Sequence, residues 1–348
     1  IKGIIGTDDR KYVIDLYRTT PLDIEFIESH YDESKETSYP HREAVIRHEA
    51  VEEWYKRKVA AFLKVETERL EKEGKPLETT EGEKPQINIP YDQIVLNPDV
   101  FTGVNENKEE QEDVRYLSNF IKDKLVEEFL DQIGKSVVPF DGNNLTDVLH
   151  RQGINMRYLG ILAEQCLVKK DARLAEIEES SKTNLEKVEA KKADDAKKAE
   201  EEKAKSPETR QKEAEEKAKN EAEEAKDENK EKEQTNLNID SSVSHYNALY
   251  KVLVQEMVAR AVKHLLRKLG KLVPVYLKNE FVSHFHNCLF GAGINENPDV
   301  QIDDVLKSFY NEEDFEFSKL NTASVLELIK SEVFVRYRYD LPNNWNSD

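Results

Sequence analysis

Val137-Val-Pro-Phe-Asp-Gly-Asn-Asn-Leu-Thr-Asp-Val-Leu-His-Arg-Gln-Gly-Ile-Asn-Met-Arg-Tyr-Leu-Gly160 carries more structural punctuation than any other part of the 348-residue chain. Asp141-Gly142 is a turn pair, and Asn144 is placed to cap a short helix that carries Leu145, Val148 and Leu149. Gly153 falls just past the end of that helix, where a positive φ is needed and where only glycine avoids a Cβ penalty. Asn155 is a cap for a further helix with Met156, Leu159, Ile161 and Leu162 on its apolar positions. The segment reads as a helix, a tight glycine turn and a second helix. No catalytic constellation lies in it.

Working outward, Ile4 to Tyr17 reads as a β-hairpin, with a Gly-Thr-Asp-Asp turn followed by alternation of Tyr12, Ile14 and Leu16 with Val13, Asp15 and Tyr17. Pro21 ends it. A long helix is expected from about Pro40 to Gly74, on the stripe Ala44, Val51, Trp54, Tyr55, Val59, Phe62 and Leu63. A polar linker runs on to Pro90. The spacing of Val114, Leu117, Ile121, Leu125 and Phe129 predicts a second helix over about Glu109 to Ile133. The helix after Gly153 is expected to stop near Val168.

Helical patterning resumes at Val243, with Tyr246, Leu249, Tyr250, Leu253, Val254, Met257, Val258, Ala261 and Leu265, and stops at Gly270. Pro274 opens a helix carrying Val275, Leu277, Phe281, Phe285 and Leu289, closed by Gly291-Ala-Gly293. Shorter helices are expected near Val305 to Phe309 and over about Ala323 to Ser331. The tail Val333-Phe-Val-Arg-Tyr-Arg-Tyr339 alternates as a strand does. The fold class is therefore α+β, predominantly α-helical, with small β elements near the N- and C-termini. No repeat of fixed period appears.

Between these parts the composition shifts sharply. From Leu159 to His245 there is no aromatic residue, and the run is Glu, Lys and Ala, with i,i+4 pairs such as Glu201–Lys205 and Glu213–Lys217. Each such pair stabilises an isolated helix by ~0.2–0.5 kcal/mol, enough for partial helicity without a packed fold. Sustained a/d apolar positions are absent after Val188, which argues against a coiled coil. The chain divides accordingly: a hairpin and long helix over 1–73, a linker at 74–90, a helical region formed by 91–170 and 236–348, and a charged insert at 171–235.

The formal charge is −19, from 71 acidic and 52 basic residues. Lys169 to Gln234 holds 22 acidic and 18 basic residues, leaving 49 against 34 outside it, so the acidity belongs mainly to the folded parts. Such a surface repels phosphate backbones at long range, and any nucleic-acid contact must be a local patch. The two cysteines, Cys166 and Cys288, are far apart in sequence. They do not make a disulfide framework, and a reducing cytosolic setting is expected. No apolar run reaches bilayer length, so no membrane insertion is expected. The chain opens at Ile1 on a strand-like run without an initiator Met, as an excised segment would.

Enzyme motifs do not assemble. Gly134-Lys135-Ser136 lacks the glycine of a P-loop five residues earlier, where Phe129 stands. Gly291-Ala-Gly293 follows a helix and lacks the third glycine of a dinucleotide fingerprint. Of His284, His286 and Cys288, only His284 and Cys288 share a helix face, too few for a metal. Asp15 and Arg18 have no phosphate loop to work with, and a strand-end salt bridge is the default. No catalytic residue, cofactor or metal site is expected.

The block from Val137 to Gly160 closely resembles the central region of the clustered mitochondria (CLU) family. Gly3-Ile-Ile-Gly-Thr-Asp-Asp-Arg-Lys-Tyr-Val-Ile-Asp-Leu-Tyr-Arg-Thr-Thr-Pro-Leu-Asp23 resembles the late part of the CLU domain, and Asn97-Pro-Asp-Val-Phe101 resembles the start of the helical region after it. A weaker likeness runs from Glu256 to Leu289. Together these blocks place the chain at the end of the CLU domain and across the CLU central helical region. The resemblance implies a non-catalytic cytosolic protein that binds mRNAs encoding mitochondrial proteins and governs mitochondrial distribution. It also implies partners in ribosome or initiation-factor complexes, since fungal members have been linked to translation initiation factor three. Near mitochondria or in ribonucleoprotein granules is where such a protein is expected. The ubiquitin-like region and tetratricopeptide repeats of full-length members have no counterpart in these residues, and the charged insert departs most from the family pattern.

Two basic clusters are the candidate RNA or partner surface. Lys263, Arg267, Lys268 and Lys271 stand in and just past the last turns of a helix, where cations also suit the dipole. Arg336, Tyr337 and Arg338 mix cations with an aromatic, as single-stranded RNA surfaces do. In a strand, however, arginines and tyrosines face opposite sides, and one buried aromatic face with a wet basic face is the simpler reading. A scaffold with little RNA affinity of its own is the alternative function.

Overall fold

The computed structural model describes residues 2–14, 20–31, 39–41, 43–72, 96–101, 107–203, 241–290, 320–343 and 345. Strands β1 (Lys2–Ile5) and β2 (Lys11–Ile14) form an antiparallel hairpin in the register Lys2↔Ile14 to Ile5↔Lys11. The helices are α1 (Ile24–His30), α2 (His48–Lys72), α3 (Lys108–Phe120), α4 (Val126–Ile133), α5 (Gly142–Arg151) and α6 (Leu159–Lys203). They continue with α7 (residues 241–269), α8 (Lys278–Leu289) and α9 (Thr322–Tyr337). Among the described residues the protein is predominantly helical with one small sheet, as its patterning predicts.

Two compact units are present. The larger comprises residues 1–129, 139–162 and 252–348, and the smaller 130–138 and 163–251. In the smaller unit Cys166 is buried, its thiol donating to the Tyr246 carbonyl at 3.1 Å, and burial pushes that thiol up to about 12. A Cβ at Gly134 would sit 2.5 Å from the Tyr246 hydroxyl oxygen, which is why Gly134-Lys135-Ser136 is a helix end packed on an aromatic ring.

In the larger unit residues 139–160 form the expected helix, glycine turn and further helix, with the cap moved from Asn144 to Asp141. Asp141, three residues before the expected cap, accepts from the Asn144 amide at 2.7 Å, because the helix starts one turn earlier at Gly142. Gly153 has φ +77° and ends α5, with Gly153 N–H donating to His150 O and Ile154 N–H to Leu149 O. A side chain there would also strike α2, since a Cβ at 153 lies 2.5 Å from the Ala50 amide nitrogen. Asn155 caps a 3₁₀ turn, Met156–Tyr158, that leads straight into α6.

The predicted stripe Val114, Leu117, Ile121, Leu125 and Phe129 is buried throughout. It is carried on α3 and α4, joined by a π-helical segment, Ile121–Leu125, that keeps the apolar face inward across the junction. Tyr246, Leu249, Leu253, Met257, Ala261 and Leu265 likewise form the buried stripe of α7.

Three expectations are corrected. The long helix begins at His48 and not near Pro40, because residues 44–46 are extended: Val45 bridges Leu22, and Ile46 N–H donates to Pro21 O at 2.8 Å. The helix after Gly153 does not stop near Val168 but runs to Lys203. The C-terminal strand is absent, since α9 runs unbroken through Tyr337. Asn321 starts it with a capping box to Ser324, and Val325, Ile329, Val333 and Tyr337 recur every fourth residue on its buried side. That stripe is as regular as the period-2 alternation, and packing selects it. Glycine 160 has no Cβ to collide with the Tyr337 carbonyl, so the first turn of α6 comes directly against the end of α9. The helix expected at Val305 to Phe309, the Gly291–Gly293 loop, the linker at 74–90, and Asp15 and Arg18 lie outside the described residues.

Candidate functional site

The two basic clusters meet, though not as a strand. His264, Arg267, Lys268, Lys271 and Leu272, at the end of α7, face Glu332 and Arg336 of α9 across a groove of about 620 Å³. Arg267, Lys268 and Lys271 are exposed and make no ion pair or hydrogen bond among the described residues. Lys263 is exposed one turn earlier on α7 and does not line the groove. Arg336 is half-buried, and its Nε donates to Glu332 Oε1 at 2.5 Å, one helical turn away. That bond leaves the terminal amino groups of its guanidinium. His264 lies among these cations, and burial first, then the Arg336 charge, lowers its pKa, which favours a neutral imidazole at pH 7. A second hollow of about 260 Å³ adjoins, sharing Arg267 and Lys271 and adding Lys278.

Tyr337 and Arg338 leave the predicted set. Tyr337 is buried, and burial pushes its phenol up to about 12. Arg338 stands in the left-handed region at φ 50°, just past α9, and both Nε and a terminal nitrogen donate to the His30 carbonyl at 3.0 and 2.9 Å. Its guanidinium also lies 4.7 Å from the Tyr39 ring centroid. These two side chains close the fold.

A second polar centre was missed from the sequence. Asp23, just ahead of α1, is fully buried and accepts from Ser118, Arg157 and, at 2.9 Å, the Tyr158 hydroxyl. Arg157, only 4% exposed, also donates to Val45 O at 3.0 Å and lies over the Phe26 ring at 5.2 Å. Nearby, His41 is neutral, its pKa lowered to about 4 by burial and by the Arg157 charge. The available signal was Arg157 itself, a cation inside the apolar run Ile154 to Leu162 that must find a carboxylate when buried. Nothing in the spacing said that the carboxylate lies more than a hundred residues away.

His284 and Cys288 do share a face, as expected; both contact Leu320 O, at 2.7 and 3.3 Å, and Cys288 Sγ lies 3.5 Å from His284 Nε2. Among the described residues no group of three or more His, Cys, Asp or Glu side chains could hold a metal ion. No helix among them is long and apolar enough to cross a membrane.

Residues 136–348 match the family model described as translation initiation factor eIF3 subunit 135, and residues 1–26 match the model described as clustered mitochondria. Proteins named clustered mitochondria protein homolog align along the whole chain: 59% identical in Debaryomyces hansenii, over 100% of this chain and 26% of the relative. The Candida albicans protein of that name is 55% identical over 99% of this chain and 26% of its own length. The chain belongs to the clustered mitochondria family. A more distant relative of the same name, from Aspergillus fumigatus, is 30% identical over 99% of this chain and 23% of its own length. The chain thus spans about a quarter of the length of the curated relatives it matches. No solved structure matches. In this member of the clustered mitochondria family the two matched regions are joined by the buried centre. Asp23 comes from the residues matching clustered mitochondria, and Arg157 and Tyr158 come from those matching eIF3 subunit 135.

Proposed function

We propose that the full protein is a non-catalytic cytosolic factor for mitochondrial distribution and biogenesis. In this reading it acts on mRNAs of nuclear-encoded mitochondrial proteins together with the translation machinery, close to mitochondria or in ribonucleoprotein granules. The family membership and the match to eIF3 subunit 135 over residues 136–348 support that reading. Within it, this region is a helical scaffold with little RNA affinity of its own.

One observation carries the scaffold assignment: Tyr337 and Arg338 of the C-terminal arginine–tyrosine stripe are spent on the fold. Tyr337 is buried, Arg338 holds the His30 carbonyl and Arg336 is paired with Glu332. A stacking surface needs its aromatic rings in solvent, and this one has turned its ring inward.

The test is binding of single-stranded RNA by the chain across a salt series, beside co-sedimentation with initiation-factor complexes. The expected result is weak RNA binding that vanishes at physiological salt, with co-sedimentation retained. Tight, salt-dependent RNA binding that Arg336→Ala/Arg338→Ala weakens, in a variant whose thermal melt is still cooperative, would replace the scaffold with an RNA-binding module.

A further inference from the structure

We infer that the groove between the end of α7 and α9 is a binding site for a compact polyphosphorylated ligand of the inositol polyphosphate class, free or as the headgroup of a phosphoinositide. The starting point is charge compensation. In this acidic chain arginines are generally matched: Arg57 with Glu53 and Glu128, Arg115 with Glu25 and Glu28, Arg157 with Asp23, Arg260 with Glu256. Among the described residues Arg267, Lys268 and Lys271 are not matched.

The helix dipole accounts for cations in the last turn of α7. It does not account for Lys271, beyond the helix end at 269, nor for Arg336 converging from a different helix. Clustered like charges repel, so the arrangement favours an anion that neutralises several at once. Arginine presents a planar fork to phosphate oxygens and lysine a point charge, and the groove offers both.

Geometry selects the class of anion. A volume of about 620 Å³ is that of a small-molecule site, which runs roughly 300–1,000 Å³. Among the described lining residues there is no Phe, Tyr or Trp, and the one ring is the His264 imidazole, so bases and nucleosides have little platform to stack on. A long polyanion leaving the groove would also cross the surface of a chain whose net charge is −19, whereas a compact ring of phosphates stays within the basic walls. The neutral His264 adds a hydrogen-bonding group without charge, and Glu332 keeps Arg336 oriented.

The test is a calorimetric titration of the whole 348-residue chain with inositol hexakisphosphate, and with inorganic sulfate and a single-stranded RNA oligonucleotide for comparison. Phosphatidylcholine vesicles with and without a phosphoinositide form the lipid arm. Saturable, salt-sensitive binding of inositol hexakisphosphate is expected. The variant Arg267→Ala/Lys268→Ala/Lys271→Ala should weaken it roughly 1,000-fold, at about tenfold per lost charge-assisted contact. Lys64→Ala/Lys182→Ala/Lys251→Ala, which removes three exposed lysines elsewhere, should leave it unchanged. Phosphoinositide-dependent vesicle binding, competed by inositol hexakisphosphate, would assign the ligand to a lipid headgroup, and soluble binding alone to a free phosphate. Binding no tighter than sulfate, or lost equally in both triple variants, would overturn the site. Groove-dependent binding of RNA in preference to inositol hexakisphosphate would overturn this assignment and the scaffold reading together. Failure of co-sedimentation with initiation factors would touch only the latter.

Discussion

Arg157 and Arg267 sit in the same unit of the same acidic chain and have opposite fates. Arg157 is 4% exposed and is held by Asp23, the Val45 carbonyl and the Phe26 ring. Arg267 stands in water beside Lys268 and Lys271, with no carboxylate against it among the described residues. The difference teaches how the two kinds of site are specified. A buried cation is intolerable without a partner, so its environment is completed by the fold. An exposed cation costs little when left alone and stays available to something outside the chain.

That contrast breaks first at Asp23. Replacing it with alanine strands Arg157 as a buried unpaired charge and should cost ~3–5 kcal/mol. Urea unfolding followed by fluorescence of the buried Trp54, which lies in the same unit, would read this loss. The double replacement Asp23→Leu/Arg157→Met should recover part of it, since removing both charges leaves neither uncompensated. If the single variant is as stable as the double, the pair is not what joins the two matched regions.

Acid tests the same depth through His41. Its folded pKa of about 4 lies below the unfolded value of about 6.5, so the unfolded chain binds the proton first. Stability is therefore full above pH 6.5 and falls as the pH drops toward 4, by up to roughly 3 kcal/mol. Unfolding at stepped pH should show this slope in the parent and lose most of it in His41→Gln. An identical slope in the two proteins would place the acid sensitivity elsewhere.

A smaller effect is expected at Arg338, which lies between the extremes. Arg338→Ala removes two hydrogen bonds to the His30 carbonyl and a cation–π contact, and should lower stability by about 1–2 kcal/mol. A loss of RNA binding with no loss of stability would return this arginine to the surface role its sequence context suggested. Smallest of all is the groove triple variant Arg267→Ala/Lys268→Ala/Lys271→Ala, whose melting should move by the equivalent of ~0.5 kcal/mol or less. A large destabilisation there would mean that the cations belong to the fold after all.

Sequence patterning reached the helices wherever one period dominated. The α3–α4 stripe is buried throughout, the α7 stripe is buried except for the half-buried Val243, Tyr250, Val254 and Val258, and Gly153 takes the positive φ that its position demanded. Patterning failed where two periods coexisted. Val333 to Tyr339 alternates like a strand, yet Val333 and Tyr337 also fall four apart, and both readings are available to any isolated peptide. It failed also at α1, whose seven residues are too short to show a period.

The sequence by itself determined the helical class of this protein, the turn at Gly153 and the surplus of acid over base. It also located the exposed cations at the end of α7, because exposure follows from lying opposite a buried stripe on one helix. Only the tertiary structure decided the rest. It paired Asp23 with Arg157 across 134 positions, turned Tyr337 inward, and set Arg336 against Lys268 and Lys271. Periodicity is a property of neighbours along the chain, whereas compensation of a buried charge and convergence of surface cations are properties of neighbours in space, chosen by which apolar faces pack together.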